Sequence, residues 1–267
     1  LGDVYKRQPK KQPLNDTNTH FINNLEWTIY PDGTVVCQSV LLPRGNPLEL
    51  LRLGYELQLP ANMGNVTYYG RGPEENYADR KSGMPLGVYK TTARDSFFPY
   101  GRPQDCGNHE DTRWVAVTDD KGQGLLFGSV GAPFAFSAIP YTTTDLILAN
   151  HPVELPKTTD KTVLVLSSAT RGLGGASCGP GPMSRDIIKA NKPYPLSFFM
   201  RPVTSKSYKG EIRVPAAQLD MTMLTRTDKY TVKSVTSQEQ GEADAEFAID
   251  GDPGTFWHSE YNKTVTK

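Results

Sequence analysis

The stretch YYGRGPEENYADR, Tyr68 to Arg80, decides how the rest of the chain is read. Two tyrosines close a β-like run, and Gly70-Arg71-Gly72-Pro73 makes a turn. Glycine opens backbone angles closed to other residues, and proline fixes its own φ. Beyond the turn come Glu74, Glu75, Asn76, Tyr77, Asp79 and Arg80. A sharp turn here sets acids, an amide and an arginine on a rim past the end of a strand. The plain alternative is a charged loop that packs Tyr77 and pairs Arg80 with a neighbouring acid.

Outward from this stretch the chain reads as strands. Leu25, Trp27 and Ile29 alternate with Glu26 and Thr28, and Pro31-Asp32-Gly33 is a turn signal before the β-branched run 34–42. Strand residues recur over 48–59, 66–69, 88–91, 113–117, 124–130, 134–138, 162–168 and 193–201. Gly54 inside the second set marks a bulge or a close backbone approach. Tyr141 to Ala149 fits one helical turn or a short strand equally well, and 81–112 has little periodicity. The fold class expected is all-β, a large antiparallel β-sandwich with little helix. Four segments follow: 1–19 a tail or linker, 20–203 the sandwich, 204–229 a tether, and 230–267 the start of a second β module.

Bulk properties remove several functions. Twenty-nine basic and 29 acidic residues balance to zero, and no basic block is present, so nucleic acid is not an expected partner. No apolar run approaches the ~18 residues of a membrane span. The opening LGDVYKRQPKKQP lacks the apolar core of a signal peptide. Three cysteines make no disulfide framework, and neither CxxC nor HExxH occurs, so no zinc site is expected. Arg171-Gly172-Leu173-Gly174-Gly175 is glycine-rich but matches neither nucleotide-binding pattern, and no helix pattern follows it.

The order Tyr69, Gly70, Gly72, Pro73, Glu75, Tyr77, Asp79, Arg80 resembles a signature of the C-terminal domain of the large β-galactosidases of glycoside hydrolase family 2, also called the small chain. Leu53-Gly54, Pro99-Tyr100, Pro103-Gln104, Gly107-Asn108, Arg113-Trp114, His151 and Gly172 to Gly175 look like the same family, in the same order. The resemblance covers roughly 21–200. It implies a supersandwich of the galactose-mutarotase type.

By the same resemblance, the catalytic glutamates lie in an upstream barrel domain, the expected partner within the same enzyme. Hydrolysis with retention needs two carboxylates about 5–5.5 Å apart. The acids here, Glu74, Glu75, Asp79, Glu110 and Asp111, are expected in loops. The chain is therefore expected to shape a pocket for terminal non-reducing β-D-galactose, with no catalytic residue of its own. The alternatives are an autonomous glycosidase, which would need two acids held on rigid strand ends in one cleft, a stand-alone carbohydrate-binding domain, and a purely structural one. Magnesium and sodium are implied for the barrel, and none for this portion. A homo-oligomer is compatible with the family.

The resemblance also assigns site residues. The loop 172–180 is expected to reach the sugar pocket through Gly174, Gly175 and Cys178; the family carries a tryptophan at or beside the last position, and a thiol cannot stack on a sugar face. Glu75, Asn76, Tyr77, Asp79, Arg80, His109 and His151 are expected as motif or rim residues. The family often has Arg at the place of His109; both histidines are read as structural. The run Ala248 to Trp257 resembles the start of a discoidin-type (coagulation factor 5/8 C, family 32 carbohydrate-binding) module, truncated here. Asp250, Asp252 and Thr255 are its weak calcium candidates, with a capped turn the plainer role. Such a module points to an exported bacterial enzyme acting on glycans.

Overall fold

The computed structural model describes residues 19–45, 49–175 and 179–204. Cys178 and the calcium candidates Asp250, Asp252 and Thr255 lie outside these residues, as do the tail, nearly all of the tether and the whole discoidin-like stretch. The eleven strands among the described residues are β1 (His20–Ile29), β2 (Val35–Arg44), β3 (Arg52–Pro60), β4 (Asn65–Arg71), β5 (Leu86–Thr92), β6 (His109–Thr112), β7 (Trp114–Thr118), β8 (Gly124–Ser129), β9 (Phe134–Ile139), β10 (Lys161–Thr170) and β11 (Tyr194–Val203). One short helix, α1 (Thr143–Leu148), and two 3₁₀ turns interrupt them. The expected antiparallel all-β architecture is what forms.

Seven strands make one sheet in the order β1-β2-β11-β8-β7-β4-β5, and four make the other, β3-β10-β9-β6. Every pairing is antiparallel. The alternation read at Leu25, Trp27 and Ile29 belongs to an edge strand. Central strands read differently: β10 and β9 are runs of buried residues, covered on both faces. Between the sheets lie Cys37, Tyr68, Val115, Val117, Phe127, Phe136, Leu164, Leu166 and Phe198. Trp27 meets Phe198 edge-on at 6.1 Å. Burial pushes the Cys37 thiol far up, so it behaves as a small hydrophobe.

Gly54 shows both of its expected features. A Cβ there would lie 2.0 Å from the Leu166 carbonyl oxygen, and the β3–β10 register shifts between Ser167 and Ala169 alongside it. The ambiguous 141–149 stretch is helical over α1. Thr142 Oγ1 accepts from Asp145 N while Asp145 accepts from Thr142 N, a closed capping box. That pairing tips a short run of neutral propensity towards helix. Leu146 from this helix, with Cys106, Ile139, Ala149 and Leu155, forms a small separate core on the outer side of the four-stranded sheet.

Two expectations are corrected. Glu110 and Asp111 are not in a loop; with His109 they lie in β6, paired with β9 through His109↔Phe136. Gly70 and Gly72 do not use left-handed angles. They are needed for closeness instead: a Cβ on Gly70 would meet Thr112 Oγ1 at 2.5 Å, and one on Gly72 the Tyr68 hydroxyl at 2.4 Å.

Candidate functional site

Strand β4 delivers the signature stretch to one end of the sandwich. After the turn the chain is fastened down at Asn76, which is fully buried. Its side-chain amide donates to the Arg71 and Glu74 carbonyls at 3.1 and 3.0 Å, and its Oδ1 accepts from Glu110 N at 2.8 Å. Asn76 N donates to Asn108 O at 2.7 Å, and Asn108 Nδ2 returns a bond to Asn76 O at 2.7 Å. Five bonds therefore hold one residue between β4 and β6. A buried amide needs such satisfaction, since each orphaned group costs about 1–3 kcal/mol.

Three of the acids around it, Glu75, Glu110 and Asp111, are engaged, while Glu74 is exposed. Glu75 accepts from Tyr77 Oη at 3.1 Å, from Gly107 N at 2.8 Å and from Tyr100 Oη. Burial and that contact push the Tyr100 hydroxyl up to about 12. Burial raises the Glu110 carboxyl, while bonds from Thr170 and Asn108 work against it. Asp111 sits between Arg71 Nε and Lys81 Nζ, the latter at 3.2 Å. Burial acts upward on it, but those two cations outweigh burial and leave it below the usual carboxylate range.

His109 lies in the core, stacked on Phe136 with centroids 5.2 Å apart. Its Nδ1 is 3.0 Å from the Arg71 carbonyl, to which it donates, and 3.0 Å from the Tyr68 hydroxyl. Burial lowers its pKa to about 4, so it is neutral at pH 7 and has no exposed proton to exchange. His151 is elsewhere and exposed, 3.1 Å from Glu154 at the start of a 3₁₀ turn. The structure brings Glu75, Asn76, Tyr77, Asp79, Arg80 and His109 into one neighbourhood and leaves His151 out.

The rim closes through Asp79. Tyr77 and Arg80 exchange backbone bonds across a tight turn, with Asp79 exposed near its tip. Its carboxylate accepts from Leu173 N at 3.0 Å and Gly174 N at 2.7 Å. Burial alone would raise this carboxyl; the two amides prevail and hold it low. The signature stretch and the beginning of the glycine-rich stretch thus meet, 94 and 95 residues apart in sequence. Gly174 takes a left-handed φ of 62°.

Sequence reasoning missed Tyr100, Asn108 and Thr170. Asn108 and Tyr100 lie inside family-like motifs, which was a usable signal; Thr170 carried none. A shallow depression of about 330 Å³ lies at the opposite end of β4, lined by Asn65, Lys90, Asp119 and Asp120, away from this rim. Among the described residues, no three His, Cys, Asp or Glu side chains are placed to share a metal ion.

The family model described as "Beta galactosidase small chain" matches residues 6–200. The β-galactosidase BgaC of Bifidobacterium adolescentis is 43% identical over 147 residues, which is 54% of this chain and 14% of that protein. A β-galactosidase of Priestia megaterium is 34% identical over 179 residues, 66% of this chain and 17% of its own. A β-galactosidase small subunit of Latilactobacillus sakei is 40% identical over 132 residues, 46% of this chain and 41% of that one. The chain therefore spans only a small part of the first two relatives. Among solved structures, a galactose mutarotase related enzyme from Lactobacillus acidophilus aligns over 78% of this chain and 73% of that one, with a TM-score of 0.36 at 9% identity. With the family model matched across most of its length, this chain belongs to the β-galactosidase small-chain family.

Proposed function

We propose that this chain is the C-terminal part of a family 2 β-galactosidase acting on terminal non-reducing β-D-galactose. In this reading it completes the sugar pocket of an upstream barrel domain and supplies none of the reacting carboxylates. The observation that carries it is the shared rim, where Asp79 of the signature stretch holds the backbone of Leu173 and Gly174. Two segments 94 residues apart in sequence meet there, as a wall built from both would require.

The state of four of the five acids, all but the exposed Glu74, supports the second half of the reading. A nucleophile or an acid/base must present a free oxygen to a substrate. Both oxygens of Glu75 are taken by protein donors, and Asp111 is held by two cations. Glu110 is buried against Asn108 and Thr170. A sugar-binding platform has little support here. The exposed Phe98 pairs with Tyr100, but their rings are tilted by 51° and form no common plane. Magnesium and sodium belong, in this reading, to the barrel; the discoidin-like stretch would add glycan attachment.

The test is hydrolysis of a chromogenic β-galactoside by the purified chain alone. The expected result is no turnover above buffer. Turnover that vanishes in Glu75→Gln or Glu110→Gln would contradict the reading.

A further inference from the structure

We propose that Asp79 is a positioning residue, whose carboxylate sets where the backbone at Leu173–Gly174 stands and so fixes one wall of the sugar pocket. The inference rests on the reading above, that this rim faces the pocket, and adds the residue that holds it in place.

The geometry is a clasp. The two carboxylate oxygens each take one of two successive backbone N–H groups, Oδ1 from Leu173 at 3.0 Å and Oδ2 from Gly174 at 2.7 Å. Successive amides aimed at one anion form a small anion-binding concavity, and the left-handed φ of Gly174 belongs to that shape. Gly172 completes it. A Cβ there would lie 2.6 Å from Asp79 Oδ2 and 2.9 Å from Asp186 Cβ. Gly172 N also donates to the Asp186 carbonyl at 2.8 Å. The backbone at 172 thus runs between two aspartates, with no room for a side chain.

The clasp is anchored from below. Asp79 sits near the tip of the 77–80 turn, closed by Arg80 N to Tyr77 O at 2.8 Å. Tyr77 is 6% exposed and bonded to Glu75, and Asn76 is tied to β6. A rigid line therefore runs from the sandwich core through Asn76 and Tyr77 to the carboxylate, and on to the loop. Asp79 itself is exposed. Exposed charged contacts contribute little to global stability, so the effect of this one is local placement.

The experiment uses the full chain for exchange and the chain combined with its upstream barrel portion for kinetics. Amide hydrogen exchange at Leu173 and Gly174 is compared in the parent, Asp79→Ala, Asp79→Asn and Gly172→Ala, with Asp119→Ala as control. The expected result in Asp79→Ala is exchange faster by about fivefold or more, with a thermal midpoint within about 2 °C of the parent. Asp79→Asn keeps one acceptor and should fall between. In the combined enzyme, Asp79→Ala and Gly172→Ala should raise KM for a nitrophenyl β-galactoside by about threefold or more, with a smaller change in kcat. Unchanged exchange at both amides overturns the clasp. Faster exchange with KM and kcat both unmoved overturns the positioning role while leaving the pocket reading intact. Equal hydrolysis by the barrel portion with and without this chain overturns the pocket reading, and the proposal with it.

Discussion

The two ends of the sandwich are both polar, yet their polar residues act over different distances. At the end where β4 begins, acids and hydroxyls mostly bond within their own turn. Asp32 takes Thr34 N two residues on, Asp119 takes Lys121 N and Gln123 N, and Thr92 pairs with Asp95. Asn65 to Asp120 is the long-range exception, and it is exposed. At the end where β4 finishes, the bonds span the chain: Glu75 to Gly107, Asn76 to Glu110, Arg71 to Asp111, Glu110 to Thr170, Asp79 to Gly174. Local bonds make a turn and could be replaced by other turn residues. Bonds between distant segments fix a shape that no single segment has alone. That shape is what a domain needs if it is to wall a pocket.

The sharpest way to break this contrast is to delete one polar residue at each end. Asn76→Ala strips partners from the Arg71 and Glu74 carbonyls and from Glu110 N in a buried place. The expected cost is about 3 kcal/mol, read as a lower urea midpoint. Asp119→Ala at the other end should cost about 1 kcal/mol or less, because water can replace it. Equal losses would erase the distinction between the ends.

A smaller effect comes from pH. Burial depresses the His109 pKa to about 4, against an ordinary value near 6.5 in an unfolded chain. Between those values the unfolded chain binds more protons than the folded one. The contribution is therefore complete above about pH 6.5 and is lost as pH falls towards 4, by about 3 kcal/mol in all. Burial raises the Asp105 and Glu110 carboxyls, which act in the opposite sense, so the quantity to measure is a difference. Stability of the parent minus that of His109→Gln, followed by urea titration from pH 7 to 5, should shrink steadily. A flat difference would mean that His109 titrates normally and is not sealed in the core.

The same contrast explains what could be read in advance. β1, β2, β8 and β10 were legible because alternation or β-branched runs report directly on burial by a sheet. β6 was not. Its sequence His-Glu-Asp-Thr has no apolar face, and it is buried through bonds to Asn76, Asn108 and Thr170, which no local pattern records. Helix α1 was legible in principle, since Thr142 and Asp145 stand at capping-box spacing, but six residues hold too little periodicity to outweigh a strand. The rim stretch announced itself by the order of its residues. Its clasp did not, because Asp79 looks like any exposed acid until Leu173 and Gly174 arrive beside it. Arg171, Gly172 and their neighbours were read as glycine-rich without a reason for each glycine; Gly172 has one, the carboxylate lying where its side chain would be.

In the proposed reading this chain contributes shape to a galactosidase and no chemistry. Its most direct test is a titration of the purified chain into the upstream barrel portion prepared without it, following hydrolysis of a chromogenic β-galactoside. The account predicts weak or no hydrolysis from either part alone and a saturable rise in kcat/KM as the chain is added. Full activity of the barrel portion without the chain, or turnover by the chain without the barrel, would contradict it.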